Sequence, residues 1–270
     1  MVPLPGEVPP YTRAETYPAG WCWSTPQRDE DHRGYVFCSA FETPEGAEAE
    51  LRRRVPGVGE TRLVAFEAGR REHFILGNVA ALGNAYGFVE PLESTALHLL
   101  VRQIGLLVRF LPWRPEERGR LALLNRKVAG FWDYLRWFLA LHFRFNRRLD
   151  TPFWRACREQ VDVSAWGELI DAYRERGPLS AQPALPVLFD APDPLWGLEG
   201  IDLLLLGQGV PCAPPAPAES EGDYRQRVAG ARAAVERMPT HAAMLEAFDR
   251  EPERLEELAA GFREVGPAFG

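Results

Sequence analysis

The 270-residue sequence predicts an α+β protein with strands in its N-terminal third and helices in the remainder. Two observations lead to this prediction. Apolar and polar residues alternate with a period of two within residues 20–41, whereas apolar residues recur every three or four positions over residues 97–143. Four or five strands and one short helix cannot cover both faces of a sheet, so the N-terminal third needs a partner layer.

The N-terminal third begins with a Pro-rich segment and a predicted β-hairpin. Aromatic residues share one side of each predicted strand, namely Trp21 and Trp23 in the first and Tyr35, Phe37 and Phe41 in the second. The polar residues 27–34 between them are expected to form the turn. Thr43 and Pro44 suit the cap and first turn of a short helix that ends at Arg54. Further strands are predicted at 61–67 and 78–82.

Two apolar stripes predict the main helices. The first predicts a buried helix through Leu97, Leu100, Val101, Ile104, Leu107, Val108 and Leu111. The second runs from about Pro115 to Leu149 through Leu121, Leu124, Val128, Phe131, Trp132, Leu135, Phe138, Leu139, His142 and Phe143. A short helix is expected from Phe153, irregular structure over the Pro-rich residues 177–217, and closing helices at 224–237 and 240–263.

Composition argues against several classes of function. A net charge of −7 disfavours a nucleic-acid partner. No apolar run is long enough to cross a bilayer and no secretory signal opens the chain, so a cytoplasmic location is expected. The four cysteines lack the spacing of a zinc site, so they are expected to be reduced and no metal site is predicted. Lys127 is the only lysine.

Residues 83–98 carry the strongest sign of chemistry. A glycine-bearing turn follows a predicted strand and precedes a helix N-terminus, whose unpaired N–H groups suit an anion or a phosphate-bearing cofactor. Glu93 has two interpretations here. It is either a general acid or base, or a first-turn carboxylate that complements the helix dipole.

The segment Gly83–Thr95, GNAYGFVEPLEST, resembles the hallmark of flavin-dependent halogenases, the tryptophan-halogenase-like family. Gly20–Pro26 is similar to the W-x-W-x-I-P signature of that family, with Thr25 at the isoleucine position. Similar motifs follow in the same order as in the family, at Arg33–Ser39, Thr151–Trp154, Leu206–Gly209 and Met238–His241. The likeness covers essentially the whole chain and suggests the C-terminal half of such an enzyme.

The resemblance implies a fold and a reaction. Residues 1–98 would be the C-terminal part of a FAD-binding, monooxygenase-like sheet module, and residues 99–270 a helical substrate-binding module. In this family, reduced FAD (FADH2) and O2 form a flavin hydroperoxide that converts chloride or bromide to hypohalous acid. The acid then halogenates an electron-rich aromatic substrate such as an indole, phenol or pyrrole. A flavin reductase is the expected partner.

The resemblance also implies site residues. Glu93 matches the catalytic glutamate, Thr95 and Ala96 match the halide contacts, and the flavin contacts map to Asn84, Gly87 and Leu97. A carboxylate beside the cationic ring intermediate would stabilise its charge or accept its proton.

The substrate positions depart from those of enzymes that take free tryptophan. Phe153 and Trp154 match part of an aromatic sandwich, and Trp21 and Trp23 would lie between flavin and substrate; without the resemblance these tryptophans are core residues. His142 and Phe143 replace a tyrosine pair, and Leu149 replaces a glutamate. Because these changes leave little to pair an ammonium or carboxylate, free tryptophan is a disfavoured substrate. His142 is alternatively a core histidine of the helix stripe.

Two essentials of the family are absent from the sequence. It contains no G-x-G-x-x-G fingerprint, and Lys127 follows the Glu93 segment, so it does not match the catalytic lysine of the family. Three hypotheses remain. The chain is part of a longer halogenase, a degenerate module that binds an aromatic ligand without reaction, or one half of a split enzyme whose other half acts in trans.

Overall fold

An antiparallel sheet joined to a layer of helices makes up the described part of the computed structural model, which comprises residues 1–4, 6–110, 117–189, 195–214 and 219–253. The sheet has the order β1-β4-β3-β2. Its strands are β1 (Val2–Pro3), β2 (Arg13–Tyr17), β3 (Gly20–Pro26) and β4 (Glu30–Phe37). The predicted α+β class agrees with this arrangement.

The predicted hairpin is formed by β3 and β4. Trp21 pairs with Val36 and Trp23 with Gly34, across an antiparallel register. The turn is shorter than predicted, because residues 30–34 extend β4 instead of joining the loop. Strand β2 was not predicted, since its sequence RAETY is polar and only Tyr17 is fully buried.

The first helix, α1 (Pro44–Arg54), confirms its predicted bounds. The Thr43 hydroxyl accepts a hydrogen bond from the Gly46 amide at 3.1 Å, which satisfies one of the free N–H groups of the first turn. The arginines of the last turn form ion pairs with glutamates one turn earlier, Arg52 with Glu48 and both Arg53 and Arg54 with Glu50. These pairs account for the arginine run within the helix itself.

Of the two further predicted strands, the first was wrong and the second is formed only in part. Residues 61–67 form no strand, and Leu63, Val64 and Phe66 are 61%, 66% and 45% exposed. Of residues 78–82, only β7 (Val79–Ala80) pairs, with β6 (Ile75–Leu76), while β5 (Gly69–Arg70) pairs with β8 (Gly87–Phe88). Alternating apolar residues form a strand only beside a partner, and the described sheets offer residues 61–67 none.

Two long helices follow, α2 (Ala96–Phe110) and α3 (Arg118–Arg144). The predicted stripe of α3 is confirmed, and its buried residues include Leu124, Val128, Phe131, Trp132, Leu135, Phe138 and Leu139. The helix ends five residues before the predicted Leu149, and both Leu111 and the predicted start at Pro115 lie outside the described residues.

The buried face of α2 was predicted wrongly. Leu99 and Gln103 are buried, whereas the predicted core residues Leu97, Val101, Ile104 and Val108 are 43–75% exposed. Leu106, Leu107 and Phe110 also pack inward. Apolar residues therefore occupy both the buried and the exposed face of the helix. Periodicity therefore identifies the helix but cannot decide which face is covered.

Six shorter helices follow α3 within the described residues. They are α4 (Pro152–Gln160), α5 (Gly167–Arg176), α6 (Leu185–Leu188), α7 (Leu198–Gly207), α8 (Glu221–Glu236) and α9 (His241–Arg250). Helix α7 contradicts the irregular structure predicted for 177–217; it contains no proline, and its Ile201 and Leu205 are fully buried. Residues 254–263 of the predicted last helix lie outside the described residues.

Helix α3 divides the core and places its C-terminal end beside the sheet. One face packs with Phe74, Tyr86 and Leu99, and the other with residues of α5 and α7 such as Ile170 and Ile201. Helix α4 is joined to the sheet by hydrogen bonds from the Trp154 indole to the Tyr17 carbonyl and from the Thr151 hydroxyl to the Pro18 carbonyl. Within the described ranges, no helix has the length and apolar character of a membrane span.

Candidate functional site

A cavity of about 440 Å³ opens between the sheet, the C-terminal end of α3 and α7. Its size falls within the range of small-molecule sites. The apolar walls are formed by Trp21, Leu92, Phe143, Trp154, Leu203 and Leu204. The Phe143 and Trp154 rings stack with centroids 5.9 Å apart and planes 18° apart, so one wall is a flat aromatic surface. Such a cavity is suited to a planar apolar group.

Beside the cavity, the turn Leu92–Ser94 has an unusual backbone conformation. Glu93 and Ser94 have φ values of 68° and 51°, the left-handed region that residues with side chains rarely adopt. Each costs about 1–3 kcal/mol, which the surrounding structure must offset. The turn leads directly into α2, so this strained segment fixes both Glu93 and the start of the helix.

The Glu93 carboxylate is held by His142 of α3. Its Oε1 lies 2.9 Å from His142 Nε2, and the other ring nitrogen, Nδ1, lies 3.3 Å from the Phe138 carbonyl. Both of these oxygens are hydrogen-bond acceptors. His142 is thus positioned to hold the Glu93 carboxylate in place. The structure confirms its place on the helix stripe and also gives it a polar role that a core histidine would lack.

A second carboxylate, that of Glu90, contacts Trp21, which is one of the cavity-lining residues. The Trp21 indole N–H donates to Glu90 Oε2 at 3.0 Å, while Glu90 Oε1 is buried with no hydrogen-bond partner among the described residues. The pKa of Glu90 is raised to about 7, chiefly because the carboxyl group is buried. The hydrogen bond from Trp21 and the interaction with His142 oppose this rise, and the charge of Glu93 adds to it. Sequence analysis missed this residue, although an acidic residue within the apolar run 88–92 was a visible signal.

Glu90→Gln should remove a pH-dependent loss of stability. The pKa of Glu90 is raised from 4.5 to about 7 by folding, so its stabilising contribution is complete below 4.5 and is lost as pH rises through 7. At 1.36 kcal/mol per unit, the loss is about 3 kcal/mol. Urea unfolding at about pH 4.5 and about pH 8.5 should show this decline in the wild type but not in Glu90→Gln. Glu175→Gln, at an exposed position, is the matched control; an equal decline in Glu90→Gln would contradict the assignment.

The predicted halide positions and the predicted flavin contact Leu97 lie at the start of α2. Thr95 is buried just before the helix, and Ala96 and Leu97 are exposed in its first turn, where amide N–H groups lack helical acceptors. Asn84 is exposed in the adjoining turn, which a hydrogen bond from the Gly83 amide to Gln103 Oε1 attaches to α2. The first amides of α2 can bind an anion, whereas the turn that contains Asn84 is attached to the helix two turns further along, at Gln103.

Gly87 has a structural reason to be glycine. A Cβ at this position would lie 2.9 Å from the Arg70 Cβ and 3.1 Å from the Gly69 carbonyl, within the β5–β8 pair. Its predicted flavin contact stays a prediction. The sole lysine, Lys127, lies within α3 with its Nζ 5.3 Å from the centroid of the Phe131 ring, and it does not line the cavity.

The structure brings most of the predicted substrate residues together. Trp21, His142, Phe143 and Trp154 line the cavity, and Glu93 reaches it through His142. Two predicted residues do not line it. The Trp23 indole lies against the backbone of Gly34 on the neighbouring strand, in space that a Cβ at position 34 would occupy. Phe153 packs edge-on against Phe41 and Trp154.

The polar and charged residues at the cavity mouth were not predicted. Asn146, Arg147 and Arg148 follow the end of α3, and Glu15 comes from the unpredicted strand β2. The location of the first three residues depends on where α3 ends, and that of Glu15 depends on a strand whose sequence has no apolar pattern. The sequence therefore gave no sign that these residues line a cavity. Leu149 lies behind the wall in an apolar cluster with Phe143, Trp154 and Cys157.

Comparisons with known proteins identify the family of this chain. The family model described as tryptophan halogenase matches residues 2–221. The tryptophan 6-halogenase SttH of Streptomyces toxytricini is 33% identical over 232 residues, which are 83% of this chain and 43% of that protein. The solved structure of MibH, a lanthipeptide tryptophan 5-halogenase, is 41% identical with a TM-score of 0.89 and covers 95% of this chain and 50% of that chain.

A third comparison gives the same result. The solved structure of BrvH, a flavin-dependent halogenase from Brevundimonas sp. BAL3, is 30% identical to this chain, with a TM-score of 0.77. The match includes 91% of this chain and 50% of the BrvH chain. This chain therefore spans about half the length of the relatives that it matches. Because the family model covers most of the sequence, the chain belongs to the flavin-dependent, tryptophan-halogenase-like family.

Proposed function

We propose that this chain forms the substrate-binding half of a flavin-dependent halogenase that replaces a ring hydrogen of an indole with chlorine or bromine. One observation carries the proposal. Glu93 is held on a left-handed turn at the start of α2 and hydrogen-bonded to His142, a residue of the aromatic cavity wall. This places a fixed carboxylate beside a pocket suited to a planar ring.

The residues of this chain would bind the ring and remove its proton. Trp21, Phe143 and Trp154 enclose the indole and exclude water. When an electrophilic halogen bonds to a ring carbon, the ring becomes cationic, and the Glu93 carboxylate stabilises that charge. Glu93 then accepts the proton from that carbon, and the C–H electron pair restores the aromatic ring. The hydrogen bond with His142 keeps the carboxylate oriented throughout.

The oxidising chemistry requires groups outside these residues. A bound reduced flavin would supply the activation of O2 and the oxidation of the halide. Asn84, Gly87 and Leu97 are the proposed flavin contacts, and Thr95 with the first amides of α2 would hold the halide. The catalytic lysine and the glycine fingerprint of the family would belong to a flavin-binding half, encoded in the same chain or supplied by another.

We propose that the indole belongs to a tryptophan within a peptide. Phe143 and Leu149 occupy positions that pair the amino-acid end of free tryptophan in some relatives, and both pack in an apolar cluster. The mouth of the cavity is open, and the exposed Arg147 and Arg148 lie there with Glu15. Flanking peptide groups would contact this mouth, and the similarity to the lanthipeptide halogenase MibH supports the same class of substrate.

A fusion enzyme tests the proposed function. The chain is joined to the half of MibH that it does not cover, loaded with FAD and supplied with a flavin reductase, bromide and a tryptophan-containing peptide. We expect mass spectrometry to find a peptide with one hydrogen replaced by bromine. A fusion that binds and reoxidises flavin but halogenates no indole would contradict the proposal and favour the non-catalytic binding module. Intact MibH is the positive control.

A further inference from the structure

Two tryptophans that line the cavity have their indole N–H groups held by different kinds of acceptor. Trp154 donates to the main-chain carbonyl of Tyr17 at 2.8 Å. Trp21 donates instead to the side-chain Oε2 of Glu90 at 3.0 Å. A main-chain carbonyl is present whatever side chain its residue carries. The orientation of the Trp21 ring, in contrast, depends on which residue occupies position 90.

The Trp21 and Glu90 side chains fix each other. Trp21 is only 6% exposed, so its N–H would be buried without an acceptor if Glu90 were replaced by an apolar residue. The torsion that turns an indole about its Cβ–Cγ bond has broad minima, and the hydrogen bond selects one ring orientation within them. Glu90 depends on the same bond, because its other oxygen, Oε1, is buried with no partner among the described residues.

Glu90 also joins this part of the cavity wall to the proposed base. It lies three residues before Glu93, on the segment that connects β8 with α2. The left-handed backbone of Glu93 and Ser94 restricts that segment. The hydrogen bond from Trp21, in β3, spans 69 positions of the sequence to reach it. The Trp21 ring and the Glu93 carboxylate are thereby held in position relative to each other.

We propose that Glu90 is a positioning residue that, through Trp21, holds the substrate indole in one orientation toward Glu93, so that halogenation occurs at one ring carbon. This inference rests on the proposed function, since it assumes that an indole is halogenated in this cavity. An indole has several C–H groups that an electrophile can attack. A small shift of the ring against a loosened Trp21 would bring a neighbouring carbon to the base, because placement of the reacting atoms decides which of them reacts.

The position of the halogen in the product tests this inference. The fusion with the MibH half is supplied with bromide and a tryptophan-containing peptide, and the digested product is compared by liquid chromatography with standards of the bromotryptophan isomers. Glu90→Leu removes the acceptor and Trp21→Phe removes the donor. Each should lower the ratio of the main isomer to the second isomer by at least about tenfold. The double variant should lower it no further than the stronger single variant, because both remove the same hydrogen bond.

Two further variants separate the hydrogen bond from other effects. Glu90→Gln keeps an oxygen acceptor for the Trp21 N–H and should keep the isomer ratio within about twofold of the wild type. Trp166→Phe, at a tryptophan that is also 6% exposed but does not line the cavity, should leave the ratio unchanged. Circular dichroism and flavin absorbance identify the variants that remain folded, and Trp21→Phe tests the bond where Glu90→Leu does not fold.

The outcomes distinguish this inference from the proposed function. A brominated product with an unchanged isomer ratio from folded, flavin-loaded Glu90→Leu or Trp21→Phe fusions would overturn the inference and leave the proposed function intact. An equal loss of the main isomer in Glu90→Gln and Glu90→Leu would also overturn it, because the charge of Glu90 would then be responsible. A fusion that forms no brominated product at all would refute the proposed function, and this inference with it.

Discussion

Glu93→Gln lowers the turnover number for halogenation by about 10²–10⁴-fold in the fusion of this chain with a flavin-binding half. Glutamine keeps the size of the side chain and a hydrogen-bonding group toward His142, which lies 2.9 Å from the carboxylate. It removes both the negative charge that stabilises the ring cation and the base that accepts the ring proton. Steady-state kinetics by liquid chromatography measures the loss.

The control for this variant is a carboxylate elsewhere on the surface. Glu175→Gln, in α5, should leave turnover unchanged. Circular dichroism and flavin binding show whether Glu93→Gln remains folded. Turnover within twofold of the wild type in a folded, flavin-loaded Glu93→Gln fusion would remove Glu93 from the mechanism.

A tryptophan within a peptide should be halogenated with a kcat/KM at least about 10²-fold higher than free tryptophan. Leaving the ammonium or carboxylate of the free amino acid unpaired against apolar groups costs several kcal/mol, and each 1.4 kcal/mol is a factor of ten. In a peptide these charges are replaced by amides. N-acetyltryptophanamide, which has the same indole without either charge, should behave more like the peptide.

A double variant tests whether apolar residues at positions 143 and 149 cause the preference for a peptide over free tryptophan. The combination of Phe143→Tyr and Leu149→Glu introduces polar groups at the two positions that now pack in the apolar cluster. We expect it to raise the kcat/KM for free tryptophan relative to the peptide. Efficient halogenation of free tryptophan by the unaltered fusion would show that Arg147, Arg148 and Glu15 at the mouth already pair its charges.

Where a local interaction determines the structure, the sequence was sufficient. The Thr43 cap defined the start of α1, and the continuous apolar stripe defined α3, because neither depends on distant residues. The prediction that Glu93 is a site residue was based on its place in a glycine-bearing turn and on the family motif. The contact with His142, 49 residues away, was not predictable, since it depends on how α3 packs beside that turn.

Other features depend on partners that the sequence pattern does not identify. Strand β2 exists because it pairs with β3, although its own residues are mostly polar. The inward face of α2 is decided by contact with α3, and its other apolar face remains exposed. Trp21 was predicted from its motif, but its hydrogen bond to the buried Glu90 is a tertiary contact.

The central claim is that the cavity beside Glu93 binds an indole for halogenation. A crystal of this chain grown with a bromotryptophan-containing peptide tests it most directly, because the anomalous signal of bromine locates the halogenated carbon. The account predicts the indole between Trp21 and the Phe143–Trp154 wall, with the bromine-bearing carbon facing the Glu93 carboxylate. Bromine bound away from the cavity, or an indole within it whose bromine faces away from Glu93, would contradict it.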